Sequence, residues 1–500
     1  MNVVATKPVG EIRQMGHIDV LIVGAGISGI DAAYYLQKDM PGKSFKLLDA
    51  LESFGGTWRS HVYPGIRSDS DLFTFGFGWK LWSGPPIATA DEILAYLEEA
   101  IDEQDIAKHI QYQTKVRTAS WSSADKKWTV IAERLDSGEL EAYTTDFMWM
   151  CQGYYEHKKG FTPVWPGMEN FKGQIIHPQA WPEDLDYKDK NIVVIGSGAT
   201  AATIVPAMAD DAKHITVLQR SPTYMFAAPN RNDLVEQLRE LDISPEWIHE
   251  IARKNVLYTS AKLIERCQSE PDVVKAELMA GVQQYLPEGY ETDVHFNPKY
   301  KPWQQRIAFV PNGDLFQGIA SGKASMVTDH IDHFTEKGIL TKSGKELEAD
   351  IIISATGLNM LLLGGIEFDL DGKAVDFSKT VAYRGVMFSG VPNLCWVFGY
   401  FRAASWTMRA DLVSELMIRI FQHMEEKGVS VVTPELRKED ADIKLGPWVD
   451  PEVFNPGYLQ RSLHLMPKQG DRQPWLFTQD YWDEKETFPK ANLDDGLNYR

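Results

Sequence analysis

The chain reads as an α/β protein with two Rossmann-like dinucleotide-binding domains and a helical insertion in the second. Three observations predict this fold. Residues 17–37, HIDVLIVGAGISGIDAAYYLQ, and 190–209, KNIVVIGSGATAATIVPAMA, each pass from a β-branched apolar run through a glycine-rich turn into an alanine-rich stretch of helical spacing. The two units stand about 170 residues apart, which suits two domains and not a short-period repeat array. A length of 500 residues also exceeds what one compact core usually holds.

Taken in order, the opening MNVVATKPVGEIRQMG lacks the continuous apolar core of a signal peptide. After the first glycine turn, DEILAYLEEAIDEQDI (91–106) reads as an amphipathic helix. WTVIAERL (128–135) and TDFMWMCQG (145–153) read as strands returning to the first sheet. The Pro- and Gly-rich FTPVWPGMENFKG (161–173) marks a crossing between domains. Residues 233–287, charged and helical in spacing, form the insertion, and KELEADIIISATG (345–357) is a further strand ending in a glycine turn. No new dinucleotide turn follows 357, so the rest completes the first domain, with an aromatic tail from residue 445 on its outside. The expected division is 1–158 for the first part of one domain and 159–345 for the second, with its helical insertion over 225–295. Residues 346–500 supply the return and the tail.

Composition sets limits. A formal charge of −19 argues against nucleic acid as a partner, since phosphate neutralisation needs a basic surface. A phosphate-bearing cofactor must then be held by helix N-termini and a few placed cations. Cys151, Cys267 and Cys395 form no Cys-x-x-Cys pair, which removes a disulfide framework, a zinc ribbon and a dithiol centre. That usage fits a reducing compartment, and a cytoplasmic protein is expected. The most membrane-like stretch, 191–208, carries Asn, Ser, Thr, Pro and two glycines, so no transmembrane segment is expected; peripheral membrane association stays open. No metal-ligand spacing and no G-x-S-x-G elbow is present.

In the first turn Gly24, Gly26 and Gly29 make G-x-G-x-x-G, with Ser28 inside it. The first glycine permits the tight turn, the second lets backbone approach a pyrophosphate, and the third lets helix and strand pack. Asp49 ends the next strand, placed to accept hydrogen bonds from ribose hydroxyls. The second turn, Gly196, Ser197, Gly198, Ala199, Thr200, Ala201, is the G-x-G-x-x-A form. Where an NAD site would place an acid, the following strand ends in Gln219, Arg220 and Ser221. Arg220 can pair with a 2′-phosphate and Ser221 can donate to it, so this domain should prefer NADPH.

Two longer strings are more specific. Residues 56–69, GTWRSHVYPGIRSD, and 171–182, FKGQIIHPQAWP, resemble the two fingerprints of the type I Baeyer–Villiger monooxygenases, with every fixed position matched. Residues 297–316, NPKYKPWQQRIAFVPNGDLF, resemble the branch that contains the ethionamide-activating monooxygenases. The resemblance runs from about residue 17 to 400 and fades in the tail. It implies FAD at the first turn, NADPH at the second, and O2 as co-substrate. It further implies conversion of ketones to esters or lactones through a C4a-peroxyflavin, with S-oxidation of sulfides or thioamides beside it. Arg306 is then the fixed cation that stabilises the anionic species, and Asp69 the carboxylate that positions it. By the same resemblance Gly56, Thr57 and Trp58 lie along the FAD, the Val116 backbone meets the adenine, and Trp181 contacts the nicotinamide cofactor. Gly357 would mark re-entry into the first domain, and His177 is read as structural. Three rivals remain: a flavin-containing N- or S-monooxygenase acting as an electrophile, a non-oxygenating NADPH-dependent flavin reductase, and a catalytically silent binding protein on the same fold. The aromatic run WVFGYFRAASW (396–406) reads equally as pocket wall or core.

Overall fold

The computed structural model describes residues 12–400, 404–452 and 454–500. Most of the opening segment read for a signal peptide, and Phe401–Ala403 of the aromatic run, lie outside the described residues.

The first sheet is built on Arg13–Val23, whose β-branched run is buried from Val20 onward. This strand pairs in parallel with Phe45–Leu48 on one side and Leu140–Met150 on the other, so Val23, Leu48 and Met150 end in register at one sheet edge. Beyond Leu140–Met150 the sheet turns antiparallel through Lys127–Arg134 and Thr114–Ser122. The chain returns to this sheet late, with Glu367–Leu370 beside Thr114–Ser122 and Leu394–Trp396 beside Leu140–Met150. The amphipathic segment forms helix Ala90–Glu103. It starts at Thr89, which makes a reciprocal capping box with Glu92, the expected consequence of T-x-x-E before an apolar run.

The second sheet is parallel throughout, in the order Ala324–Thr328, His214–Gln219, Asn191–Ile195, Ile351–Ser354, Gln174–Ile176. This corrects the expected boundary at 345. Ile351–Ser354 sits between Asn191–Ile195 and Gln174–Ile176, so the second domain runs on to Ser354 and the crossing back lies at 355–360. The run is fully buried because helices or loops cover both faces of a parallel sheet.

The insertion is helical over Asp233–Glu240, Pro245–Ser269 and Pro271–Gln283. Its expected start near 225 is instead a strand, Met225–Ala228, paired with Ala308–Pro311, and the two strands bracket the helices. Buried Arg253 of the long helix donates to the carbonyls of Phe73 and Gly76 and pairs with Asp411 at 3.3 Å, which packs the insertion onto the first domain.

The tail does not lie on the outside. Trp448, Phe454, Trp475 and Phe477 are buried in the first domain's cores, because their large apolar surfaces gain more from the interior than from a solvent-facing wrap. Glu484 locks the tail in place: it meets Arg409 at 2.8 Å with both side chains buried and accepts the Tyr400 hydroxyl at 2.7 Å. Among the described residues no helix is long and apolar enough to cross a membrane.

Candidate active site

Both glycine turns contain positions whose backbone geometry excludes a side chain. Gly24 holds φ +105°, and a Cβ there would stand 2.5 Å from the Cys151 carbonyl oxygen. At Gly29 a Cβ would stand 2.0 Å from the Gly24 carbonyl oxygen. Neither position admits a side chain, as the first and third glycines of such a turn require. Gly26 faces Gly56, whose Cα would be 3.6 Å from a Cβ on Gly26, so the second string begins directly against the first turn. Thr57 and Trp58 open the short helix that follows. Asp49 holds the turn as well: its carboxylate accepts Ala25 N–H at 2.6 Å and Leu51 N–H at 2.7 Å, and burial pushes its pKa up. Two accepted bonds leave a carboxylate with capacity for ribose hydroxyls. Ser28 is buried and its Oγ accepts the Trp406 indole at 2.7 Å. Val116 is a buried side chain at a register shift in its strand.

The second turn differs in one instructive way. Gly196 holds φ +116° with a virtual Cβ 2.4 Å from the Ala355 carbonyl oxygen, whereas a Cβ on Gly198 meets nothing within 4 Å. Gly198 and Ala199 are exposed at the N-terminus of helix Ala199–Met208, so backbone N–H groups face open space. Ala201 is buried at the third position. Ser197 Oγ lies 3.1 Å from Thr223 Oγ1. Arg220 and Ser221 are exposed at the end of His214–Gln219, and Arg220 has no ion-pair partner among the described residues.

The string 56–69 physically joins the two turns. It leaves the first turn at Gly55 N–H, which donates to Ala25 O at 3.1 Å. It reaches the second at Gly65, where a Cβ would stand 2.6 Å from Ala207 Cβ and 2.9 Å from Thr203 O. Arg67, which sequence reasoning passed over, explains the join. Pro206 lies inside the second-turn helix and has no N–H, so the carbonyl of Ala202 loses its helical donor. Arg67 Nη2 donates to that carbonyl at 3.3 Å, while Nη1 pairs with Asp314 Oδ2 at 2.5 Å.

The string ends at Asp69, which meets Arg306. Arg306 Nε lies 3.1 Å from Asp69 Oδ2, and Arg306 Nη2 donates to Ser70 Oγ at 3.3 Å. The carboxylate beside it holds the guanidinium above its ordinary pKa. Both side chains keep accessible surface, 40% and 42%, although Tyr154, Tyr155 and Tyr458 stand around the arginine. The pair therefore stays accessible beside the three tyrosines. Trp303, three residues before Arg306, holds φ +67°, a conformation that costs a bulky side chain roughly 1–3 kcal/mol and that clusters at functional sites.

His177 and Trp181 stand at the hinge. The outgoing and returning crossings pair with each other: Phe161 N–H donates to Gly357 O at 2.9 Å, Glu156 N–H to Asn359 O at 2.9 Å, and Leu361 N–H to Tyr154 O at 2.9 Å. His177 clasps both. A Cβ on Gly160 would fall within 1.9 Å of its ring, and its Nε2 lies 3.0 Å from Gly357 O. Nδ1 accepts Gln179 N–H at 3.2 Å, which places the proton on Nε2, and burial lowers the imidazole pKa, so the ring is a neutral structural clasp. Trp181 packs half-buried against the second domain's core. Arg461 of the tail caps the same hinge, 3.5 Å over the Phe161 ring and donating to Leu358 O at 3.1 Å.

Sequence reasoning also missed Trp406 and the three tyrosines. Trp406 closes the aromatic run left unassigned, and Tyr154 stacks on it with centroids 5.2 Å apart and planes at 11°. A hollow of about 610 Å³ beside the edge strand Gln174–Ile176 holds none of these groups.

Comparison with known proteins agrees with this geometry. Residues 84–233 match the family model for flavin-binding monooxygenase-like proteins, and residues 22–97 match an NAD(P)-binding Rossmann-like domain. The chain is 46% identical to the FAD-containing monooxygenase EthA of Mycobacterium tuberculosis over 492 residues, 97% of this chain and 98% of that one. It is 45% identical to the protein of the same name from Mycolicibacterium smegmatis over 93% of each. Among solved structures, oxidized steroid monooxygenase bound to NADP aligns with a TM-score of 0.75 at 22% identity over 97% of this chain and 99% of that one. An open form of cyclohexanone monooxygenase aligns with a TM-score of 0.74 at 21% identity, over 97% and 100%. At these identities the two structures speak for the fold.

Proposed function

The chain belongs to the family of EthA-like FAD-containing monooxygenases, and on that premise we propose that it is a type I Baeyer–Villiger monooxygenase. It uses NADPH and O2 to convert ketones to esters or lactones and also S-oxidises sulfides or thioamides. The observation that carries this reading is the Arg306–Asp69 pair, 3.1 Å apart, at the end of the loop that ties the two glycine turns together. FAD is assigned to Gly24, Gly26, Ser28, Gly29 and Asp49, with Gly56, Thr57, Trp58 and the Val116 backbone alongside. NADPH is assigned to Gly196–Ala201, Arg220 and Ser221, with Trp181 toward its nicotinamide. When bound, the nicotinamide supplies hydride and the flavin supplies oxygen transfer.

The protein's part is charge and position. Arg306 presents a fixed cation where negative charge develops on the substrate oxygen. Asp69 fixes its orientation while leaving a net attraction for an oxyanion. The three cysteines are free and buried, which supports a cytoplasmic setting.

The test supplies purified, FAD-loaded protein with NADPH, isotopically labelled O2 and a panel of ketones and sulfides. One labelled oxygen in an ester product is expected. Arg306→Ala should still be reduced by NADPH but lose ester formation by about a hundredfold or more. Normal ester formation by that variant would overturn the role of Arg306. Heteroatom products with no ester from any ketone would favour the electrophilic flavin-containing class, and NADPH consumption only with an added electron acceptor would favour the reductase.

A further inference from the structure

We propose that the helical insertion is the seat of the segment that carries Arg306, and that Tyr224 and Lys275 are positioning residues that hold this segment. The inference rests on the reading above, in which Arg306 is the fixed cation of the reaction, and gives the insertion a part in placing that charge.

From Phe296 to Ile307 the chain forms neither helix nor strand, so no ladder of its own hydrogen bonds sets its path. Grips from outside set it instead. Lys275, on helix Pro271–Gln283, donates through Nζ to the Pro298 carbonyl at 3.0 Å. The Tyr224 hydroxyl donates to the Tyr300 carbonyl at 2.8 Å, and the two rings meet edge-on with centroids 5.3 Å apart. The Tyr224 carbonyl accepts Ala308 N–H at 2.9 Å, where the next strand begins. One buried residue therefore fixes both ends of the stretch in which Arg306 lies. Between these ends Trp303 and Ile307 pack, with Tyr300, on a small core of Tyr224, Cys267, Val274 and Leu278. Cys267 belongs to helix Pro245–Ser269, and Val274 and Leu278 to Pro271–Gln283, so the insertion supplies most of that core.

The seat is tied to both domains. The same helix Pro245–Ser269 carries Arg253, which holds the carbonyls of Phe73 and Gly76 in the first domain. The segment is thus placed relative to the domain of the first glycine turn as well as to its own. Asp69 fixes only the guanidinium end of Arg306, and the backbone end depends on the seat. Trp303 keeps φ +67°, a conformation that persists only where surrounding contacts over-determine it, and the insertion's core is among those contacts. Tyr224 spends its hydroxyl on the segment and not on the insertion helices, which plain space-filling does not call for. Placement matters for a cation that must meet charge developing at one atom: a displacement of about 1 Å costs on the order of a hundredfold in rate.

The experiment compares FAD-loaded Tyr224→Phe and Lys275→Met with the parent, after FAD content and Tm establish folding. Where Tyr224→Phe lowers Tm, Lys275→Met carries the same test from a half-buried position on the insertion. In hydrogen exchange, peptides spanning 298–307 should exchange about three- to tenfold faster in each variant, while Pro271–Gln283 keeps the parent's protection. With NADPH, O2 and a ketone that the parent converts, ester formed per NADPH consumed should fall about three- to tenfold, while the KM for NADPH and the rate of flavin reduction stay within about twofold of the parent. Either change added to Arg306→Ala should lower ester formation no further, because the seat acts through that residue. Unchanged exchange overturns the seat. Faster exchange with a parent-like ester yield overturns the positioning role, as does a parallel fall in flavin reduction and ester formation, which marks a structural role alone. Hydrogen exchange needs no turnover, so it separates this proposal from the ketone reading. Where the parent makes no ester, faster exchange across 303–307 sustains the seat and unchanged exchange refutes it.

Discussion

Gly198→Ala separates the fold's requirements from the cofactor's. In the folded chain Gly198 has φ −77° and ψ −172°, which any residue adopts, and a Cβ there meets no atom within 4 Å. Removing glycine lowers the entropy of the unfolded chain, a gain of roughly 0.4–1 kcal/mol. Alanine is a poorer N-cap than glycine, by about 0.5–1 kcal/mol. The two offset, leaving a net change near zero. With an unfolding entropy of about 2 cal/mol/K per residue, a residual of about 0.5 kcal/mol moves Tm by less than roughly one degree. The new methyl nevertheless stands in the open space before the helix N-terminus, where the dinucleotide's pyrophosphate would approach. Equilibrium titration with NADP+ should show a Kd raised at least about tenfold, the equivalent of about 1.4 kcal/mol. Gly196→Ala is the contrast. Its φ of +116° and a Cβ 2.4 Å from the Ala355 carbonyl oxygen force backbone to move, so Tm falls and binding falls with it. Parent-like NADP+ affinity in a stable Gly198→Ala protein would refute the claim that this turn holds the second dinucleotide.

Four further outcomes are expected. Arg220→Ala should raise KM for NADPH at least about tenfold while leaving KM for NADH nearly unchanged, because it removes a cation that only a 2′-phosphate uses. Arg67→Met strips the donor from the Ala202 carbonyl and the partner from Asp314; NADP+ affinity should weaken roughly three- to tenfold in titration while FAD content holds. Glu484→Ala leaves Arg409 buried and unpaired, a loss of about 3–5 kcal/mol, which thermal melting should register as a fall of several degrees in Tm. Asp71 caps the helix Leu72–Phe75 through Phe73 N–H, and burial pushes its pKa up to about 7. It holds its proton more tightly folded than unfolded, so its stabilising contribution is full below the unfolded value of about 4 and is lost as pH rises to about 7. The parent should therefore lose Tm across that window relative to Asp71→Asn.

What was legible in the sequence was what local sterics dictate. Gly24 and Gly196 must hold positive φ against a facing carbonyl, and that demand shows as a glycine directly after a β-branched run. Thr89 and Glu92 announce a helix start for an equally local reason. Which sheet a strand joins is not local. Ile351–Ser354 is a buried run compatible with either sheet, and only its partners at Ile192–Ile195 and Gln174–Ile176 decide the matter, so the expected boundary fell short. The meeting of Arg306 with Asp69 likewise has no signature in spacing and was reached through family resemblance alone. Arg67 is intermediate. A proline inside the second-turn helix states that the Ala202 carbonyl needs an outside donor, but nothing near it in sequence says that the donor stands 135 residues earlier. The tail is the hardest case, because aromatic composition is the same for a surface wrap and for a buried core. The resemblance, expected to fade there, extends through it in the relatives aligned over 97% of this chain, and the tail delivers Tyr458 to the neighbourhood of Arg306.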